Sequence, residues 1–193
     1  ISESALMPIF SSEGSSAENI FFNNYNGDGV SAVLYKNEID PTQTGHWGDD
    51  ATVEEIIHTI NHVGHTNVYP SAFSMGPNSS LMSTAMDAAR GGRFEEVPEE
   101  YPEGSWYTYF DETCLYSCQM NEYIYWVLTS LLGSQDFPGR LERIGDEWPL
   151  NTREKVQERD PAAYVLLTDP QYKLPTVLPD GNYEFETLIV SKR

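Results

Sequence analysis

Gln119-Met120-Asn121-Glu122-Tyr123-Ile124-Tyr125-Trp126-Val127-Leu128-Thr129-Ser130-Leu131-Leu132 is apolar on nearly every side when wound at 100° per residue, and Gly133 follows as a natural stop. A helix without a polar face has to lie inside the molecule, so this stretch predicts the buried centre of the fold. Its most apolar part, Tyr123 to Leu132, reaches about half of the roughly 20 residues that a spanning helix needs, and Thr129 and Ser130 interrupt it. A membrane span is thereby excluded here. One residue is out of place: a carboxylate at Glu122, in what reads as the first turn, is costly to bury unless a cation or donor meets it. The competing explanation is a favourable charge at a helix N-terminus, worth about 0.3–1 kcal/mol.

Upstream, Glu54-Glu55-Ile56-Ile57-His58-Thr59-Ile60-Asn61-His62-Val63-Gly64-His65 holds three of the four histidines. Thr52 and Glu55 stand in the relation of a capping box, so a helix is predicted from Val53 to Val63, with Gly64 as its terminator. His58, His62 and His65 then fall within about 60° of one another, flanked by Glu54 and Glu55. Val53, Ile56, Ile57, Ile60 and Val63 form the opposite, apolar face. Histidines at i and i+4 present their ring nitrogens to one ion, which is how two imidazoles come to bind one zinc. The plainer alternative is a solvated face that happens to carry histidines. With a third ligand from Glu122, and with His65 as a replacement or additional ligand, the expected metal set is His58, His62, Glu122 and His65. Zinc is the first choice, and imidazole suits copper and iron as well.

A helix with His-x-x-x-His followed by a second helix bearing a glutamate among aromatic residues resembles the zinc core of the glutamate-zincin metallopeptidases. The resemblance runs over residues 30 to 132, with Val30 to Tyr35 in the place of the family's substrate-aligning edge strand. It implies His58, His62 and Glu122 as zinc ligands, Tyr125 or a neighbouring tyrosine beside the metal, and a peptide or protein as substrate if the site is active. The chain departs from the family at one position. The motif is His-Glu-x-x-His, whose glutamate acts as general base on the zinc-bound water, and Thr59 stands there instead. A threonine hydroxyl has no useful basicity near neutral pH. Glu55, one turn before His58, or else Glu54, is the poor replacement base that the sequence offers, and Glu55 and Tyr125 are the candidate catalytic residues. Glu55-x-x-His58 also echoes the Glu-x-x-His of di-iron carboxylate proteins, but a second copy is missing, because Tyr125 stands three residues after Glu122.

Composition limits the remaining choices. With 30 acidic and 11 basic residues among 193, the formal charge of −19 repels phosphate backbones, so nucleic acid is excluded as a partner. An apolar fraction of 39% is enough for one sizeable core. The reading is an N-terminal arm over 1–19 and a single globular domain over 20–193. The turn-rich run Asn23 to Gly29 partly imitates a calcium loop, but Tyr35 takes the place of its bidentate glutamate. Calcium is therefore the secondary cation. Beyond the helices already named, others are predicted from Leu81 to Arg90, from Thr152 to Arg159, and from Asp160-Pro161 to Leu167. Strands are predicted at Val30 to Tyr35, at Thr176-Val177-Leu178 and from Tyr183 to Val190, which makes the fold class a helix-rich α+β domain. The aromatic stretch Phe94 to Glu112 reads as core beneath a loop, or as a cleft wall.

Cys114 and Cys118, four apart, can close a small disulfide, and Asn78-Ser79-Ser80 is an N-glycosylation triplet at Asn78. Together with a first residue other than methionine, they favour a secreted, extracellular protein. The functional expectation is a secreted transition-metal-binding protein resembling a zinc metallopeptidase whose catalytic base is altered or lost. The alternative is a non-enzymatic acidic matrix protein that binds cations or mineral surfaces, and a copper or iron redox protein is a third reading.

Overall fold

The computed structural model describes Ile39 and residues 49–179, and every regular element among them is helical. The first helix, α1 (Ala51–Thr59), is capped by the Asp50 carboxylate, which accepts the Thr52 N–H at 2.8 Å. The cap is therefore two residues earlier than the expected Thr52, and the reason is that an aspartate at this position satisfies an orphan N–H as well as a threonine does. A π-helical segment, Ile60–His65, continues α1, followed by the short turns Thr66–Val68 and Pro70–Phe73. Next comes α2 (Leu81–Ala89), whose Ser80 and Ser83 cap each other reciprocally. The long helix α3 (Tyr116–Leu131) follows, then α4 (Arg140–Ile144), α5 (Arg153–Arg159) and α6 (Pro161–Thr168), which opens with the expected Asp160-Pro161.

α3 occupies the centre, as its composition requires. It packs against α1, α2, α5 and α6, and Met120, Tyr123, Ile124, Val127 and Leu128 are essentially inaccessible. Each large apolar side chain removed from water in this way contributes about 1.5–3 kcal/mol. Phe73, Met82, Met86, Tyr107 and Trp148 close the core around it. The helix starts three residues earlier than Gln119, and the Cys114–Cys118 disulfide joins the loop before it to its first turn. The predicted bridge is thus formed.

Polar groups on so buried a helix need partners. Gln119 accepts from Arg90 at 2.5 Å and donates to the Cys114 carbonyl at 2.7 Å. Ser130 accepts from the Trp148 indole, and Thr129 accepts from Gln135. The irregular stretch 91–115 is fastened by the Tyr107 hydroxyl, which donates to the Gln119 carbonyl, and by Trp106, whose indole donates to Asp160. Tyr107 is fully buried, so this part of the aromatic stretch is core. Asp49 clamps the start of α1 to α4 through Arg140 at 2.7 Å and Arg143 at 2.8 Å.

The α+β expectation is overturned: among the described residues no strand forms, and the architecture is all-α. Thr176-Val177-Leu178 lies between Pro175 and Pro179, which have no N–H to give to a ladder, and Val177 is 75% exposed, without a sheet face to pack on. Val30 to Tyr35, Tyr183 to Val190, the N-terminal arm and the Asn23 to Gly29 turn lie outside the described residues. The expected apolar back of α1 is also divided. Ile57 is buried and Val53 packs on the core, whereas Ile56, Ile60 and Val63 are exposed.

Asp160 is the main polar tie between α6, α3 and the loop, since one buried carboxylate accepts from Trp106, Tyr123 and the Ala163 N–H. Asp160→Ala would strand three buried donors, at about 1–3 kcal/mol for each unsatisfied group. Urea denaturation of this variant is expected to show a loss of about 3 kcal/mol or more, and Asp160→Asn, which keeps two acceptor lone pairs, a smaller one.

Candidate metal centre

Glu54 and His58 stand four residues apart on α1 and so share one face. Opposite them, α3 presents Glu122. One ligand atom from each of the three lies within 4.8 Å of the other two. The closest pair is His58 Nε2 and Glu122 Oε2 at 3.7 Å, with only 15% and 14% of the side chains exposed. That distance is too long for a hydrogen bond, and the buried His58 Nε2 has no hydrogen-bond partner. A tetrahedral zinc with bonds of about 2.0–2.1 Å separates its ligand atoms by about 3.3 Å. The nitrogen and oxygen already stand near that separation.

The charge balance favours a cation. Burial, followed by the charges of Glu54, Glu147 and Glu55, pushes the Glu122 carboxyl up to about 9, against a smaller opposing hydrogen bond from Tyr109. Burial alone pushes His58 down to about 4, so its imidazole is neutral at physiological pH, in the form that binds metals. Because α3 begins earlier than predicted, Glu122 sits in its second turn, where the favourable field of the helix N-terminus has faded. The electrostatic alternative raised by the sequence therefore does not account for this carboxylate.

His62 is exposed and outside the cluster. The cause is the π-helical segment, in which the Thr66 N–H reaches back to the Asn61 carbonyl, five residues away. A π turn takes in an extra residue, so a four-residue spacing across it no longer stacks one side chain above the other. The same widening turns Asn61 and His65 inward. His65 bonds through Nε2 to the Tyr172 carbonyl at 3.1 Å and packs against Tyr69 and Phe73, which fixes the 3-10 turn Pro170–Tyr172 to this end of the molecule. The structure thus gathers two of the predicted residues, His58 and Glu122, adds Glu54 and leaves out His62 and His65.

Of the two candidate catalytic residues, Tyr125 is buried and presents its ring to the edge of His58, with centroids 6.2 Å apart. Its hydroxyl accepts a hydrogen bond from Gln135, so Tyr125 forms a wall of the site. Glu55 is half-buried and contributes charge to Glu122 without belonging to the cluster. Of two further groups around Glu122, Tyr109 belongs to the aromatic stretch read as core or cleft wall, and Glu147 escaped the sequence reading. Tyr109 hydrogen-bonds Glu122, and Glu147, itself raised by burial, accepts from the Trp126 indole at 2.6 Å. Both come from irregular segments, where no periodicity marks a residue as facing the centre. Glu54 was legible, since its spacing from His58 equals that between His58 and His62.

These shifts give the metal-free protein a defined response to pH. Between about 4 and 6.5 the unfolded chain protonates His58 while the fold does not, so stability rises with pH there. Between about 4.5 and 9 the fold retains the Glu122 proton that the unfolded chain releases, so stability falls as pH rises. The two effects oppose each other up to about pH 6.5, with the lowered His65 acting in the sense of His58 and the raised Glu147 in the sense of Glu122, and above it the Glu122 effect contributes no more than about 1.4 kcal/mol per pH unit. Chelator-treated protein is therefore expected to lose thermal stability from pH 6.5 to 9, and Glu122→Gln to flatten that slope. An equal slope in both proteins contradicts this assignment.

Comparison with known proteins finds no matching family model, no matching curated relative and no matching solved structure. The functional reading accordingly rests on the chemistry of Glu54, His58 and Glu122.

Proposed function

We propose that this chain is a metal-binding protein that holds one divalent transition metal, zinc first among them, between α1 and α3 through Glu54, His58 and Glu122. The observation that carries the reading is the buried, unpartnered His58 Nε2 facing a carboxylate that burial and like charges hold against ionisation. A divalent cation bonded to the nitrogen and both carboxylates answers each of these costs at once. One imidazole with two carboxylates is a donor set that zinc accepts, and the oxygen-rich balance also suits iron and manganese.

The proposed centre keeps part of the glutamate-zincin plan, with a histidine from the first helix and a glutamate from the second. Glu54 takes the place of the second histidine, and Thr59 still occupies the position of the general base. Metal binding is therefore proposed without the standard route to peptide hydrolysis. The Cys114–Cys118 disulfide supports an extracellular setting, because such bonds persist in oxidising compartments.

A weaker second mode has its own support. Glu95, Glu96, Glu99, Glu100 and Glu103 are all exposed on one loop, which suits loose, salt-sensitive calcium binding of the matrix-protein kind.

Isothermal titration of metal-free protein with zinc is expected to give one site per chain. His58→Ala and Glu122→Gln should each weaken it at least about a hundredfold, and Tyr109→Phe about tenfold, in the range usual for groups that orient a ligand. His62→Ala should leave it unchanged. Equal losses with His62→Ala and His58→Ala would contradict the proposed ligand set.

A further inference from the structure

The turn that joins Pro70–Phe73 to α2 carries a chemically distinct feature, Pro77-Asn78-Ser79-Ser80. Asn78 is exposed and adopts a left-handed backbone conformation, with φ of 56°, which asparagine tolerates better than most residues. Its amide oxygen accepts a hydrogen bond from Arg93, which leaves the nucleophilic Nδ2 outside that contact. Ser79 faces solvent, and its hydroxyl donates to the Ser74 and Gly76 carbonyls. Ser80, the third residue of the triplet, is the N-cap of α2. The acceptor asparagine and the structural serine are therefore separate residues, and a bulky group on the first leaves the cap of the second intact.

We propose that Asn78 carries an N-linked oligosaccharide, attached on the exposed turn before α2. The inference is independent of the metal centre. It stands on the Asn78-Ser79-Ser80 triplet, in which Asn78 and Ser79 are exposed and Ser80 is buried as the N-cap of α2, and on the Cys114–Cys118 disulfide, which belongs to the same oxidising compartments in which such glycans are added. The co-reactant is an oligosaccharide carried on a polyprenyl pyrophosphate, and the catalyst is the membrane transferase of the secretory pathway. The Asn78 Nδ2 attacks the anomeric carbon, forming a C–N bond. The bond from that carbon to the phosphate oxygen breaks, the polyprenyl pyrophosphate leaves with the electron pair, and Nδ2 loses one proton. No oxidation or reduction takes place.

The test is expression of the full chain behind a cleavable secretion signal in a eukaryotic cell line, with intact-mass analysis of both the secreted and the cell-retained protein. The expected result is one glycan per chain. Peptide-N-glycosidase should remove it and leave aspartate at position 78, a gain of about one mass unit. Asn78→Gln should abolish it. Ser80→Thr, which preserves both the triplet and a capping hydroxyl, should retain it while folding normally. Protein of bare polypeptide mass at Asn78, with the disulfide formed, would overturn the proposal in either fraction. A glycan that persists in Asn78→Gln would overturn the assignment to this residue.

Discussion

Burial of α3 on all sides is the constraint from which the rest of the molecule follows. From Tyr123 to Leu131 every residue of α3 is buried, so the polar groups there, and on the buried Gln119, need partners inside, which the elements around α3 supply. Arg90 at the end of α2 meets Gln119, Gln135 meets Thr129, and the Trp148 indole meets Ser130. Asp160 gathers Tyr123 together with Trp106 and the start of α6. These contacts do more than offset desolvation. They fix the rotation of each neighbouring helix about α3, because a hydrogen bond has a direction that apolar packing lacks.

Glu122 departs from this pattern in an informative way. It receives a hydrogen bond from Tyr109, but its other surroundings are Glu54, Glu55 and Glu147, and the group closest to it from α1 is a neutral imidazole with no proton partner. The central helix thus faces one buried carboxylate with three more, and this charge arrangement is what supports the proposed cation site. The clamp of Asp49 on Arg140 and Arg143, together with the Asp50 cap, holds α1 so that Glu54 and His58 both look towards that carboxylate.

Most of the helical plan was legible in the sequence, because it rests on local signals. The polar caps at Ser80, Thr152 and Asp160 and the glycine after α3 mark helix ends through backbone groups within a turn of themselves. The choice of His58 and Glu122 was legible for a different reason, since a carboxylate inside an apolar helix and an imidazole on a polar stripe are each anomalous on their own. The π-helical segment was not. Nothing in Ile60 to His65 announces a turn of five residues rather than four, and the decision belongs to packing, which draws Asn61 and His65 inward against Phe73 and Tyr172. That single extra residue removes His62 from the centre and leaves its place to Glu54. The strand at Thr176 to Leu178 failed for a comparable reason: β-branched composition does not make a strand without a neighbour to pair with.

The central claim is that one imidazole and two carboxylates, contributed by α1 and α3, form a single metal centre. X-ray absorption spectroscopy at the zinc K-edge, on protein loaded with one equivalent of zinc, tests this most directly, because multiple scattering from imidazole rings counts the histidines bound. The account predicts one histidine, with the remaining first-sphere scatterers being oxygen at about 2.0–2.2 Å. Two or three imidazoles per zinc would contradict it, and would restore the histidine stripe of α1 as the ligand set in place of the Glu54, His58 and Glu122 triad.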